Sequence, residues 1–257
     1  MMKQCGMRVS ALFIRALSLT LTLALISCGD RRVDNYLELS CPGVATDQSR
    51  SFMPLVKSGR PVLVLIDPSF SQFEKDQIAA AAASWNAINS VRGRRNFFEI
   101  ENARPERVSV LKSGPNCDFT NGEFDTVSIV REVDSSFWSK VDTNSDHPPG
   151  ITIRCPSRDG LTISKQATVI NPGRAFSSQF RSVVMHELGH VLGLGHSCAD
   201  PRKGETPSEK FVDCDQLPKN HPYRNAVMYP LLRIGEVKEE LRANDVERGQ
   251  CIAQNSL

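Results

Sequence analysis

Residues 183–197 read Val183-Val184-Met185-His186-Glu187-Leu188-Gly189-His190-Val191-Leu192-Gly193-Leu194-Gly195-His196-Ser197. On a helix, residues four apart lie one turn apart on the same face, so His186 and His190 can reach one ion. Glu187 stands beside them, placed to act on a water rather than as a ligand. Gly193 tolerates a left-handed backbone, so the helix can stop there and the chain turn sharply. That turn returns His196 as a third nitrogen. Three imidazoles with one open position make a catalytic zinc, whereas structural zinc is closed by four protein ligands. Three of the five histidines in the chain fall within these eleven residues, which is hard to reconcile with unrelated core or surface histidines.

The full pattern His-Glu-x-x-His-x-x-Gly-x-x-His resembles that of the metzincin zinc endopeptidases. Ser197 after the third histidine, together with Ala226-Val227-Met228-Tyr229-Pro230, is similar to the matrixins within that group. The resemblance implies an α+β, zincin-like catalytic domain: a twisted mixed sheet, two long helices and a small C-terminal subdomain closed by a helix. It implies one catalytic zinc on His186, His190 and His196, with Met228 in a tight turn beneath them. A metal-activated water would attack the peptide carbonyl, with Glu187 as general base and then general acid. Ser182, Tyr229, Pro230 and Leu232 would line the pocket for the residue after the cut.

Departures from the matrixin pattern are also visible. Beyond the three ligands only His147 and His221 remain, too few for that family's second, structural zinc. Asp142-x-Asn144-x-Asp146 superficially resembles a calcium loop, but the required glycine and distal glutamate are absent, so calcium lacks support and a solvated acidic loop is the simpler reading.

Upstream, the 257-residue chain is long enough for one or two domains with a sizeable core. Lys3, Arg8 and Arg15 precede an apolar run from Ala16 to Ile26, too short to span a bilayer and suited to a secretory signal. The run ends Leu25-Ile26-Ser27-Cys28, which resembles a bacterial lipoprotein cleavage site with Cys28 as the lipidated first residue. Ordinary signal cleavage is the alternative. Residues 1–27 would then be the signal, 28–60 a tether and strap, and 61–257 the catalytic domain, divided into subdomains 61–193 and 194–257. The expected location is the cell envelope, outer membrane or surface, or the medium if Cys28 carries no lipid.

Of 31 Lys+Arg and 29 Asp+Glu, the signal removes three basic residues, leaving 28 against 29 and a net charge of −1. That balance gives no general electrostatic case for nucleic acid. The expected partner is a protein or peptide substrate, with membrane contact only through the lipid and the chain monomeric. A non-enzymatic lipoprotein using the fold as a binding or adhesion module is the rival, opposed by the intact Glu187.

Six cysteines remain beyond Cys5 and Cys28, which in an oxidising compartment read as three disulfides. The expected pairs are Cys198–Cys214, Cys117–Cys155 and Cys41–Cys251. Cys41 has a second reading as a latency switch, but it lacks the flanking charges of the matrixin motif.

Residues 61–67 should form a buried strand, and Ser71-x-x-Glu74 a capping box. Ile78, Ala81, Trp85 and Ile88 follow at helical spacing, with Trp85 read as core. Further strands are expected at 97–101, 107–112, 126–131, 150–155 and 162–170. The metal helix should run from Phe180 to Leu192, and Asn244-x-x-Glu247 should cap a closing helix. The strand at 150–155 would be the sheet edge above the cleft, where an extended peptide docks.

Overall fold

The computed structural model describes residues 60–90, 96–109, 111, 114–119, 125–141, 147–156, 163–207 and 211–255. Cys28, Cys41, Asp142, Asn144 and Asp146 lie outside them, as do both N-terminal segments. In chain order the elements are β1 (Val62–Ile66), α1 (Gln72–Ser90), β2 (Phe98–Asn102), β3 (Thr126–Arg131), α2 (Ser135–Val141), β4 (Gly150–Pro156), β5 (Ile163–Ile170), α3 (Phe180–Val191), α4 (Pro222–Asn225) and α5 (Ala243–Asn255). The class is α+β, as the resemblance implies.

The strands form one sheet in the order β2-β1-β3-β5-β4. β1 pairs parallel with β2 and β3, and β3 parallel with β5. Only β4 runs antiparallel, against β5. The strand expected above the cleft is therefore the terminal strand of the sheet.

Strand alternation divides the apolar side chains between two faces. Val62, Val64 and Ile66 of β1, with Val127 and Ile129 of β3, join a core shared with α1, α3 and α5. Leu65, Val130, Ala167 and Val169 point the other way, toward Phe137 and Trp138 of α2. α1 begins with the expected capping box: Ser71 N–H donates to Glu74 Oε2 at 2.7 Å and Glu74 N–H to Ser71 Oγ at 3.3 Å. Its inward stripe of Ile78, Ala81, Trp85 and Ile88 is buried. Trp85 is fully enclosed and donates its indole N–H to Met185 O at 2.9 Å, which fixes α1 to the middle of α3. Trp85 is thus core, as expected.

Two local expectations are corrected, and one helix stands where none was expected. The described part of the 107–112 strand, residues 107–109 and 111, is not in a named strand: Pro105–Arg107 is a 3₁₀ turn, and Leu111 makes an isolated bridge to Phe119. Pro105 presets the turn, and Ser109 N–H donates to the Ser128 hydroxyl at 2.9 Å instead of to a strand backbone. Helix α2 was not anticipated. The closing helix starts at Ala243, so Asn244 lies inside its first turn rather than at the cap, and Arg242 N–H donates to Asp245 Oδ2 at 3.0 Å.

Cys117 is disulfide-bonded to Cys155 and Cys198 to Cys214. Cys251, buried on α5, is also disulfide-bonded; Cys41, its expected partner, lies outside the described residues.

Candidate metal centre

Helix α3 ends where the sequence places a glycine with no side-chain penalty. Gly193 has φ +95°. Its N–H donates to His190 O at 2.9 Å, and Leu194 N–H donates to Gly189 O at 3.0 Å. These paired bonds are the Schellman arrangement, which satisfies the last helical carbonyls while reversing the chain. The reversal carries His196 back over the helix, so His186, His190 and His196 each bring one ring nitrogen within 4.8 Å of the others.

What holds each ring decides which nitrogen faces the centre. His186 Nδ1 lies 2.8 Å from Val227 O, and His190 Nδ1 2.8 Å from Leu194 O. His196 Nδ1 lies 2.7 Å from Glu205 Oε1. Carbonyl and carboxylate oxygens only accept, so each Nδ1 carries the proton and each Nε2 the lone pair. The Nε2 atoms of His186 and His190 stand 3.1 Å apart. Two lone pairs at that distance repel, but two ligands of one tetrahedral zinc at ~2.0–2.1 Å would sit about 3.3 Å apart. The donor set fits the ion. Burial holds the His190 pKa well below its ordinary value, with further lowering from His186, His196 and Arg154. A neutral imidazole is the form that binds metal.

Glu187 is 4% exposed on the face of α3 that meets β4. Its Oε2 accepts the Thr152 hydroxyl at 2.7 Å, and Thr152 Oγ1 lies 3.1 Å from Thr168 Oγ1. The strand can approach this closely because residue 150 has no side chain. A Cβ there would stand 3.0 Å from Val183 Cγ1 and 3.3 Å from Glu187 Oε1. The carboxylate is thus gripped on one oxygen by the edge strand.

Met228 packs against the helix at Gly189. A Cβ on Gly189 would meet Met228 Sδ at 2.2 Å and Trp85 Cζ2 at 3.0 Å, so the glycine between the two ligands makes room for the methionine. The turn carrying Met228 is pinned from α5. Asp245 accepts Val227 N–H at 2.9 Å and Met228 N–H at 3.1 Å. Burial pushes the Asp245 carboxyl pKa upward, against the pull of Arg242, Val227 and Met228 N–H. Arg248, 1% exposed, donates to Gly195 O at 2.7 Å. One helix therefore fixes both the turn behind His186 and the approach to His196.

The expected pocket residues sit among this scaffolding. Ser182 is 2% exposed and its hydroxyl accepts Lys238 N–H at 2.8 Å, so it braces α3 against the chain beyond the turn. Tyr229 packs with the Cys198–Cys214 disulfide, and Lys238 Nζ lies 4.3 Å from its ring centre. Burial raises the Tyr229 pKa and lowers that of Lys238. Pro230 is buried, and Leu232 packs partly buried on the main core. His221 caps α4, accepting Tyr223 N–H at 3.2 Å, and is not among the ligand cluster.

Sequence reasoning missed Thr152, Glu205, Asp245 and Arg248. For Thr152 a signal existed: strand alternation puts it on the face of Gly150 and Arg154. The other three lie among charged residues with no distinguishing spacing.

No protein-family model matches the chain, and no curated protein matches it in sequence. Among solved structures, the chain is similar to high choriolytic enzyme 1, a hatching enzyme zinc-protease from Oryzias latipes (medaka fish). The TM-score is 0.38 with 16% identity over 79% of this chain and 94% of that one. It is also similar to myroilysin, with a TM-score of 0.38 and 12% identity over 80% and 97% of the two chains.

Proposed function

We propose that the chain is a zinc-dependent endopeptidase of the metzincin type, closest in motif to the matrixins. The observation that carries this is the convergence of three Nδ1-protonated imidazoles beside a buried glutamate at the edge of a sheet. His186, His190 and His196 would hold the ion. When bound, zinc supplies Lewis-acid polarisation of a carbonyl and lowers the pKa of water.

The protein's own part follows from the geometry. Thr152 holds Glu187 Oε2, which orients the carboxylate to take a proton from the attacking water and pass it to the leaving amine. Such general acid–base action is worth roughly 10²–10⁴-fold. β4, the last strand of the sheet, offers backbone groups to an extended substrate by strand addition. Tyr229, Pro230 and Leu232 would frame the pocket for the residue after the cut, whereas Ser182, 2% exposed and bonded to Lys238 N–H, braces α3 rather than opening such a pocket. Substrates are extracellular or envelope proteins, and the enzyme is a monomer exported behind the 1–27 signal and anchored through lipidated Cys28.

The test is casein or gelatin hydrolysis by the zinc-loaded mature protein, with and without chelator, beside Glu187→Gln. The expected result is chelator-sensitive cleavage and a loss of at least ~10²-fold in the variant with zinc still bound. Equal rates in both would remove Glu187 from the mechanism. A folded, zinc-loaded protein without any peptidase activity would leave a binding or adhesion module instead.

A further inference from the structure

The three rings are not held alike. His186 and His190 donate to backbone carbonyls, whereas His196 donates to a carboxylate, Glu205 Oε1 at 2.7 Å. Glu205 is itself fixed: its Oε2 accepts Asp200 N–H at 2.7 Å. Both residues lie on the loop closed by Cys198–Cys214, whose sulfurs are fully buried. The His196 and Glu205 side chains are only 14% and 25% exposed.

We infer that Glu205 is the positioning residue of the third ligand, an inference that rests on the three histidines being a metal site. His196 needs one more than the other two do. His186 and His190 come from consecutive turns of a packed helix, so their backbone positions are set before any ring is oriented. His196 sits on irregular chain after Gly193, where rotation about its side-chain bonds has no helical neighbour to restrict it. The Glu205 carboxylate fixes the Nδ1–H tautomer and ring plane, and its negative charge strengthens Nε2 as a donor. Asp200 N–H and the disulfide then transmit the rigidity of the loop to the metal site.

Two variants of the full mature protein separate position from charge. Glu205→Gln keeps one oxygen that can accept from Nδ1 but loses the charge and turns an NH₂ toward Asp200 N–H; Glu205→Ala loses every one of these contacts. Zinc affinity is measured by chelator competition, and the His196 tautomer by ¹⁵N NMR of the metal-free protein. Glu205→Ala is expected to weaken zinc about 10–100-fold and to mix the two His196 tautomers. Glu205→Gln should keep the Nδ1–H tautomer and fall between Ala and wild type in affinity. Zinc affinity in Glu205→Ala within twofold of wild type, or an unchanged tautomer there, overturns the positioning role. A wild-type protein that binds no zinc overturns the metal reading itself, and is told apart because the failure then appears before any substitution.

Discussion

The sheet with α1 and α3 and the chain beyond Gly193 are held by different forces. The first half is regular: mostly parallel strand ladders, a capped helix, and two apolar faces, with the buried Trp85 indole and Ser128 hydroxyl among their paired polar groups. The second half, from Leu194 to Arg242, has one four-residue helix and two 3₁₀ turns among its described residues. It is fastened by a disulfide and by buried charged groups that reach backbone: Asp245 to the Met228 turn, Arg248 to Gly195, Lys238 to Ala226. Two ligands come from the first half and one from the second. Apolar burial supplies the platform, and discrete polar anchors supply the precision of closure. Damage to the platform should therefore unfold the protein as a whole, whereas damage to an anchor should loosen the site as well.

The largest effect expected is that of Trp85→Ala. The side chain is fully buried between α1 and α3, so truncation leaves a cavity and removes the indole N–H bond to Met185 O, at a cost of about 3–5 kcal/mol. Against typical domain stabilities of ~5–15 kcal/mol this is severe. Urea unfolding should shift to a much lower midpoint in a single transition. Separate transitions for helix content and for zinc release would show that the two halves are less coupled than argued.

Asp245→Asn tests the other half. Asp245 accepts three backbone N–H groups with two oxygens, and the amide can accept with only one. At least one buried N–H then faces an NH₂ group, costing about 1–3 kcal/mol. Unlike Trp85→Ala, this change should also weaken zinc, because Val227 O holds His186 and Val227 N–H is one of the bonds at risk. Zinc affinity unchanged by Asp245→Asn would break the link between anchor and site.

Legibility in sequence follows the same division. The platform shows itself through periodicity: the 61–67 strand, the Ser71 box and the Trp85 stripe all act locally and were readable. So was the clustering of His186, His190 and His196, because a helix and a glycine impose their spacing. α2 escaped notice because seven residues carry little periodicity. Its one signal was Asp134, whose carboxylate accepts Ser136 N–H at 2.8 Å as a helix cap would. The anchors are a harder case. Asp245 lies in Arg242-Ala-Asn-Asp-Val, where Asn244 looked the better cap, and only the tertiary demand of the Met228 turn selects the aspartate. Glu205 acts across nine residues of irregular loop, and no local pattern encodes such a contact.

A pH titration distinguishes the forces without mutation. The depressed pKa of His190 means that, as pH falls below its ordinary 6.5, the unfolded chain takes up a proton that the folded chain refuses. Its contribution to stability is full above 6.5 and is lost as pH falls toward the folded value. Asp245 has the opposite sign: its raised pKa gives stability present below its ordinary 3.8 and lost as pH rises through the folded value. Between pH ~7.5 and ~5.5 the metal-free protein should therefore lose stability with a slope of up to about 1.4 kcal/mol per pH unit from this one group. Saturating zinc should keep or steepen that slope, because a ligated nitrogen refuses the proton that the unfolded chain takes up. A metal-free protein equally stable at both ends would mean that His190 is hydrated, not enclosed.

The smallest change sharpens the comparison most cleanly. Ser71→Ala removes one half of the box at the start of α1, where the groups are exposed. The loss should be about 1 kcal/mol, read as a small shift in the urea midpoint. The cap touches none of the anchors, and the first turn of α1 precedes Trp85 by more than three helical turns of sequence. Zinc affinity and the Glu187-dependent rate should therefore be unchanged. Set beside Asp245→Asn, a loss of similar order that does reach the metal, it asks whether stability alone governs the site or whether the particular bond does. If both variants weakened zinc in proportion to their stability loss, the anchors would be no more than part of the general fold. If only Asp245→Asn does, closure depends on where the polar contact is made, and that is what the contrast between the two halves predicts.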